Sequence, residues 1–308
     1  MVVTANVPLL ELRGVSKRFG AVQALTDIQF DVHAGEVVAL VGDNGAGKST
    51  LIKLISGIYA ADGGTFLWEG RQVSIASPGD SAALGIATVY QDLALCDNLD
   101  VVANLYLGRE AGSGGALGRI DEVSMEKKSI EVLRRLSVKI PSVRIPIASL
   151  SGGQRQSVAV ARSVLWDNKV VLLDEPTAAL GVAQTHEVLE LVRRLRDEGQ
   201  GVVIISHNLA DVFEVADRIT VLRLGRYVGT YDRQKVTREQ LVGLMTGAVP
   251  GLTGDDDPTA VGGTPGGGGS STSPPDGWAD LPGDPGEPKV RYPNMALPPD
   301  GAPGEVGR

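Results

Sequence analysis

The sequence predicts an α/β fold whose core is a mainly parallel sheet. Short runs rich in β-branched residues recur along the chain and are separated by segments with helical spacing. The clearest helical segment places Val188, Leu191, Val192 and Leu195 on one face, with Arg and Glu on the other. Strands that alternate with helices in this way form a parallel sheet covered on both faces. The predicted core strands are 36–41, 86–90, 170–173, 202–205 and 219–224.

Two regions depart from this alternation. The opening segment LLELRGVSKRFGAVQALTDIQFDV, residues 9–32, contains strand-like pieces but no helical pattern, so it predicts an antiparallel flank. The stretch 93–146 contains the glycine-rich loop AGSGGALG and a helix candidate at 125–136, but no strong strand. With the helix-like run RQSVAVARSVL that follows, it predicts a helical insertion at 93–165.

The composition changes sharply near Pro250. Residues 251–308 contain 14 Gly and 11 Pro among 58 residues, with little apolar periodicity. The same segment has nine acidic and three basic residues, so it carries −6 of the chain's net charge of −8. Segments of this composition do not bury enough apolar surface to fold. The sequence therefore predicts a folded domain at 8–249 and a disordered, acidic tail at 250–308.

Bulk properties argue against several classes of protein. The folded part has no long basic run, which argues against binding to nucleic acid. Cys96 is the one cysteine, so an internal disulfide is impossible, and the first residues lack the basic and then apolar layout of a signal peptide. The apolar runs are far shorter than the roughly 20 residues that a membrane helix needs. We therefore expect the chain to lie in the reducing cytoplasm.

A phosphate-binding loop is predicted directly after the first core strand. The segment GDNGAGKST matches G-x-x-x-x-G-K-[ST]. Its glycines let successive backbone amides face a phosphate, Lys48 supplies a mobile cation, and Ser49 supplies a hydroxyl for Mg²⁺. The following helix presents the positive end of its dipole. The pattern predicts a nucleoside triphosphate site formed by Gly42, Asp43, Asn44, Gly45, Ala46, Gly47, Lys48, Ser49 and Thr50.

Polar side chains that suit phosphate chemistry follow three other strands. Asp174 and Glu175 end the run VVLLDE, where Asp174 would hold Mg²⁺ and Glu175 would deprotonate the attacking water. His207 follows GVVIIS and would contact a phosphate. Gln91 follows IATVY and would reach the metal ion or the water. Each of these residues has a simpler alternative as a polar cap on a turn. Residues that suit phosphate chemistry follow four strands, however, which favours a single site.

The pentapeptide LSGGQ, residues 150–154, stands immediately before a helix-like run. Small residues before an apolar helix let backbone amides approach an anion closely. The same segment is also an ordinary loop that enters a helix, and the pentapeptide alone does not decide between these alternatives. The remaining histidines, His33 and His186, lie outside any such motif and are expected at the surface.

Together, these motifs closely resemble those of the ATP-binding cassette ATPases. The resemblance covers residues 8–249 and rests on 42–50, Gln91, LSGGQ, VVLLDEP and ISHN in this order. It implies the P-loop NTPase fold of the ABC cassette, with ATP as substrate and Mg²⁺ as metal ion. It also implies that Phe19 stacks on adenine and that two cassettes pair head to tail. In such a pair, the γ-phosphate held by one chain would be covered by Ser151, Gly152, Gly153 and Gln154 of the other.

Longer segments resemble one branch of this family. The runs EPTAALGV, YQDLALCDNLDVVANLYLGRE and ISHNLADVFEVADRITVLRLGR are similar to those of ATPases that power import of simple sugars such as ribose, xylose or fructose. The resemblance implies a peripheral protein on the cytoplasmic face of the membrane, docked on an integral permease. A periplasmic or lipid-anchored sugar-binding protein would deliver the sugar to this permease. The segment after Gln91, with the helical insertion, would receive a permease helix. Many members have two fused cassettes, but this chain has a single phosphate loop, which implies a homodimer.

One segment departs from the family pattern, and other functions stay open. Residues 178–181 read Ala-Ala-Leu-Gly, where many cassettes have Ser-Ala-Leu-Asp after the catalytic glutamate.

The main alternative function is that of a soluble cassette protein that acts in DNA repair, on chromosomes or in translation. Such proteins usually carry long coiled coils, zinc-binding cysteines or two cassettes, and this sequence shows none of these. A regulatory module without turnover is disfavoured because Lys48, Asp174, Glu175 and His207 are all present.

Overall fold

A computed structural model describes residues 7–111, 120–166 and 168–248 of the chain. All of these residues belong to the first, Met1–Asp256, of two units into which the chain divides. The tail predicted for 250–308 and nearly all of the predicted loop AGSGGALG lie outside the described residues.

The described residues form one mixed sheet and a set of α-helices. The strands are β1 (Leu10–Phe19), β2 (Val22–Val32), β3 (Val37–Val41), β4 (Gly63–Trp68), β5 (Arg71–Val73), β6 (Ile86–Val89), β7 (Val170–Asp174), β8 (Gly201–Ile205), β9 (Arg218–Arg223) and β10 (Arg226–Asp232). The helices are α1 (Lys48–Ile55), α2 (Pro78–Ala83), α3 (Val101–Tyr106), α4 (Glu122–Arg135), α5 (Gly152–Val164), α6 (Val182–Asp197), α7 (Leu209–Val215) and α8 (Arg238–Thr246). The strand order is β5-β4-β1-β2-β10-β9-β3-β8-β7-β6. Within the part of the chain that is described, no helix is both long and apolar enough to cross a bilayer.

The parallel core consists of β9, β3, β8, β7 and β6, which lie side by side in that order. These are the five strands that the sequence predicts, so the prediction is confirmed. Every residue of β3 is buried, with Val37, Ala39 and Val41 in one apolar core and Val38 and Leu40 in the other. Because both faces of the sheet are covered, the strands appear in sequence as continuous apolar runs.

The antiparallel flank is also confirmed, since β1 pairs with β2 and β4 and β4 pairs with β5, all in antiparallel register. Strand β10, which the sequence analysis missed, joins this flank to the core. It pairs with β9 in antiparallel register and with β2 in parallel, where Arg226 lies opposite Thr26. None of its residues is fully buried, so it lacks the apolar alternation that identifies a strand.

The region predicted as a helical insertion contains α3, α4 and α5, so the prediction of helices here is confirmed. Helix α4 begins three residues before the predicted helix candidate because Asp121 caps it, accepting from the amide of Ser124 at 3.0 Å. Met125 and Leu133 of α4 are buried in the same apolar core as Val158 of α5. This packing fixes the helices against the edge of the sheet that β6 forms.

Candidate active site

The phosphate loop lies between the end of β3 and the start of α1. A Cβ on Gly42 would lie 2.3 Å from the carbonyl oxygen of Leu222, and a Cβ on Gly47 would lie 2.5 Å from Leu25. Gly47 also has a φ of 101°, in the region that favours glycine. No side chain caps α1, so the first amides of the helix are available to an anion.

Lys48 folds back over this loop. Its ammonium group donates to the carbonyl oxygens of Gly42, at 2.7 Å, and Asp43, at 3.1 Å. Burial lowers the pKa of Lys48, and the nearby carboxylates of Glu175, Asp43 and Asp174 oppose that effect. A desolvated cation above a ring of amides is suited to bind a phosphate group.

A cavity of about 330 Å³ opens over the loop. Residues 44–50 and Glu175 line it, together with 22–24 of β2 and the turn formed by Leu224 and Gly225. The amide of Gly225 donates to the carbonyl oxygen of Ala46 at 3.1 Å, so this turn is attached to the phosphate loop. The sequence analysis missed Leu224 and Gly225 because the only local signal is a glycine after a strand, which carries no chemistry of its own.

Two carboxylates with different surroundings stand at the end of β7. Burial raises the pKa of Asp174, and the charge of Glu175 adds to this effect, whereas Lys48 and Lys53 oppose it. Glu175 has a φ of 50°, in the left-handed region. Its carboxylate accepts from Nδ1 of His207 at 2.8 Å. Since β7 and β8 are neighbours in the sheet, their two following loops bring Glu175 and His207 together.

Gln91 and Phe19 lie at the periphery of this arrangement. Gln91 is exposed in the turn after β6, which pairs with β7, so it follows the sheet at the same edge as Asp174. Phe19 ends β1 opposite Val22, one of the residues that line the cavity. The Phe19 ring is 40% exposed and packs edge to face on Tyr59, with 5.0 Å between ring centroids.

The loop of residues 151–154 is not part of this cavity. Ser151 caps α5 by accepting from the amide of Gln154 at 3.3 Å, and Gln154 Oε1 accepts from the amide of Ser151 at 3.0 Å. A Cβ on Gly153 would lie 2.9 Å from the Cβ of Gln184, so close packing on α6 also requires a glycine there. Among the described residues, those that line the cavity over the phosphate loop do not include 151–154.

The two remaining histidines differ from each other. His186 is 65% exposed, as the sequence predicts for a surface residue. His33 is partly exposed, at 23%, and its Nε2 lies 3.2 Å from the carboxylate of Asp31, which Arg218 also binds.

Comparisons with known proteins agree with this fold. The ABC transporter family matches residues 25–178. The xylose/arabinose import ATP-binding protein XylG of Sulfolobus acidocaldarius is 47% identical over 238 residues, which cover 77% of this chain and 94% of that protein. The fructose import ATP-binding protein FrcA of Rhizobium meliloti is 45% identical over 249 residues, which cover 79% of this chain and 96% of that protein.

A solved structure gives the same fold. The ATP-binding cassette MJ1267 of an ABC transporter, in its ADP conformation, superposes with a TM-score of 0.66 at 25% identity, covering 78% of this chain and 95% of that one. The predicted cassette fold is therefore confirmed. Because the family matches half of the chain and two relatives align over nearly their whole length, the chain belongs to the ABC transporter family and is an ATP-binding cassette ATPase.

Proposed function

We propose that the chain is the ATP-hydrolysing subunit of an importer that takes up a monosaccharide through a membrane permease. The observation that carries the proposal is the identity of 45–47% to two proteins named for the import of xylose, arabinose or fructose. It is combined with a cavity over the phosphate loop that Glu175 lines, and Glu175 in turn contacts His207. The transported molecule is thus a simple sugar, and ATP hydrolysis is the energy source.

In this proposal, ATP lies in the cavity over the phosphate loop. The amides of residues 42–50 and the ammonium group of Lys48 hold its phosphates, and Phe19 stacks on the adenine. Glu175 orients and deprotonates the attacking water. His207 donates a hydrogen bond to the γ-phosphate once the nucleotide is present, and in the structure its ring already contacts Glu175.

The described residues fit a magnesium ion beside the phosphates. Ser49, Asp174 and Gln91 would provide hydroxyl, carboxylate and amide oxygens, which are the hard donors that Mg²⁺ prefers. Burial raises the pKa of Asp174 and the charge of Glu175 adds to this effect, so a cation at this position would offset the cost of keeping the carboxylate ionised. When bound, the ion supplies positive charge to the phosphate oxygens.

A second copy of the chain would complete the site. Ser151 is exposed at the start of α5, and its loop does not line the cavity of its own chain in the described part of the molecule. We propose that residues 151–154 of one copy cover the γ-phosphate held by the other, in a head-to-tail homodimer. Such a pair is stable only while the nucleotide is present, because the phosphates bridge the phosphate loop of one copy and the start of α5 in the other.

A groove of about 270 Å³ between α2, β6, α3 and α5 would receive the permease. Arg109 and Arg162 line it together with Trp166, and the described lining residues include no acidic side chain. Arg162 also donates to the carbonyl oxygens of Leu93 and Ala94, at 3.4 and 3.0 Å, in the segment directly after Gln91. An acidic permease segment in this groove would therefore contact the loop that follows Gln91. A sugar-binding protein would act on the far side of the same permease.

Uptake assays test the proposal. With the chain removed from cells that contain it, we expect uptake of one labelled sugar among xylose, arabinose, fructose and ribose to fall, and the parent chain but not Lys48→Ala to restore it. Recovery of the chain with a membrane fraction and a polytopic partner would support the assignment. Unchanged uptake of all four sugars, or recovery with DNA or ribosomes, would instead favour a cassette protein without a transport role.

A further inference from the structure

Asp211 is a buried acid that the proposed hydrolysis does not use. It lies in the first turn of α7 and is 5% exposed. Its Oδ2 accepts from the hydroxyl of Thr177 at 2.6 Å, and its Oδ1 accepts from the side-chain amide of Asn208 at 2.9 Å. A buried carboxylate is stable only when its oxygens are hydrogen-bonded, so both contacts are strongly favoured. Asp211 therefore links two loops that are far apart in sequence.

These two loops carry the paired side chains of the candidate active site. Thr177 comes two residues after Glu175, and Asn208 directly follows His207. The loops follow the neighbouring strands β7 and β8, and Glu175 and His207 meet through the hydrogen bond of 2.8 Å. Covalent bonds and hydrogen bonds thus form a closed ring that passes through both loops and through Asp211.

The positions of the paired side chains depend on the conformation of their loops. Glu175 has a φ of 50°, a conformation that non-glycine residues keep only when their surroundings impose it. The side chain of His207 is 69% exposed, so few neighbours restrict its ring. The amide of Asn208 has a fixed orientation, because its Oδ1 accepts from the amide of Ala210 at 3.0 Å and its nitrogen must then face Asp211.

We propose that Asp211 is a positioning residue for ATP hydrolysis. Through Thr177 and Asn208, it holds the loop of Glu175 and the loop of His207 in one relative arrangement, so that the acid and the histidine meet over the phosphate site. Asp211 acts through these neighbours, since it is not among the described residues that line the cavity. The inference rests on the proposed roles of Glu175 and His207 in hydrolysis.

Variants of Thr177 test the link without changing the sequence of α7. Thr177→Val keeps the shape of the side chain but removes the hydroxyl, and Thr177→Ser keeps the hydroxyl. We expect Thr177→Val to lower kcat for ATP by about 10- to 100-fold, as small misplacements of catalytic groups do, with KM for ATP changed by less than about twofold. Thr177→Ser restores kcat. Thr177→Ala provides the same comparison if the valine variant does not fold.

A double-mutant cycle separates positioning from general stability. In a His207→Ala background, the pairing that Asp211 supports is already lost, so Thr177→Val should cost little further activity. A loss in that background as large as in the parent would overturn the proposal, since it would show that Thr177 acts independently of the pair. Thermal unfolding of each variant, measured in parallel, identifies any loss that comes from unfolded protein.

Glu175→Gln distinguishes failure of this inference from failure of the proposed function. If Glu175→Gln hydrolyses ATP at the parent rate, the proposed role of Glu175 is wrong and the positioning role is overturned with it. If Glu175→Gln is slow but Thr177→Val turns over at the parent rate, only the positioning role of Asp211 is overturned. Slow turnover in both, with coupling to His207, is the expected result.

Discussion

At the scale of single residues, Asp174 and Glu175 show how two adjacent carboxylates acquire different properties. Asp174 is the last residue of β7, and burial together with the neighbouring charge raises its pKa. Glu175 leaves the strand direction through a left-handed conformation and contacts His207 instead. In the proposed site, Asp174 would bind a cation, and Glu175 would act on the attacking water.

The raised pKa of Asp174 predicts a pH-dependent effect on stability. The folded state favours the protonated form of Asp174, so this group contributes its full stabilisation at a pH below the pKa that it has in the unfolded chain. The contribution is lost as pH rises through the pKa that it has in the folded protein. At neutral pH the ionised Asp174 therefore destabilises the protein without metal or nucleotide. We expect Asp174→Asn to have a higher Tm than the parent in EDTA at about pH 7.5, with the difference shrinking toward about pH 4.

The control for this prediction is the same pair of proteins with Mg²⁺ and ATP. There the parent should gain more stability than Asp174→Asn, because a ligand that binds more tightly stabilises the folded state more. A difference in Tm that stays constant across the pH range would contradict the assignment of this effect to the ionisation of Asp174.

At the scale of elements, the N-termini of α5 and α6 meet but are capped differently. Ser151 and Gln154 cap α5 reciprocally through side chain and backbone. Helix α6 begins after Gly181, which has no side chain to cap it, and only Gln184 Oε1 accepts from the amide of Gly181, at 3.3 Å. The glycine at 181 therefore leaves the start of α6 without a side-chain cap from that position.

Gly181→Asp is predicted to stabilise the chain. Gly181 has extended backbone with a φ of −74°, and no heavy atom lies within 4 Å of a Cβ built there, so an aspartate fits without strain. A capping carboxylate at a helix start contributes from a few tenths to about 1 kcal/mol over glycine. Urea unfolding measures the gain. Gly181→Ala, which cannot cap, is the matched control and should show none; a less stable Gly181→Asp would contradict the capping argument.

At the scale of the whole molecule, the sheet order determines which motifs form one site. The loops after β3, β7 and β8 leave the same edge because these strands are parallel neighbours. They bring Lys48, Asp174, Glu175 and His207 to one place, whereas Ser151 lies on a helix that packs beside α6. The chain therefore carries a phosphate site and a separate loop with an exposed helix start, which is the arrangement that a head-to-tail pair needs.

The proposed pair predicts a nucleotide-dependent dimer. Glu175→Gln should bind ATP, lower turnover by about 10²-fold or more, and run as a dimer in size-exclusion chromatography with Mg²⁺ and ATP. Adding Ser151→Arg to this variant should give a monomer that still binds ATP, because Ser151 does not line the cavity of its own chain among the residues described. A monomer in both cases, with the permease also supplied, would contradict the shared site.

Much of the fold could be predicted because it depends on local patterns. The core strands are continuous apolar runs, whereas the helix of α4 was predicted three residues too late because the capping role of Asp121 was missed. Strand β10 was missed because its side chains are only half-buried, and the turn at Leu224 and Gly225 was missed because its role depends on the phosphate loop beside it. The contact between Thr177 and Asp211 could not be predicted, since it joins two segments that are 34 residues apart in sequence.

The sequence by itself determined the residue types that bind phosphate, the strands that carry them and the resemblance to a family of ATPases. Each of these is encoded in a short stretch, where spacing and side-chain chemistry constrain the local backbone. Only the tertiary structure decided that Glu175 meets His207, that Asp211 joins their loops and that residues 151–154 lie apart from the cavity. These relations depend on which strands become neighbours, and that order is set by packing between segments distant in sequence rather than by any one of them.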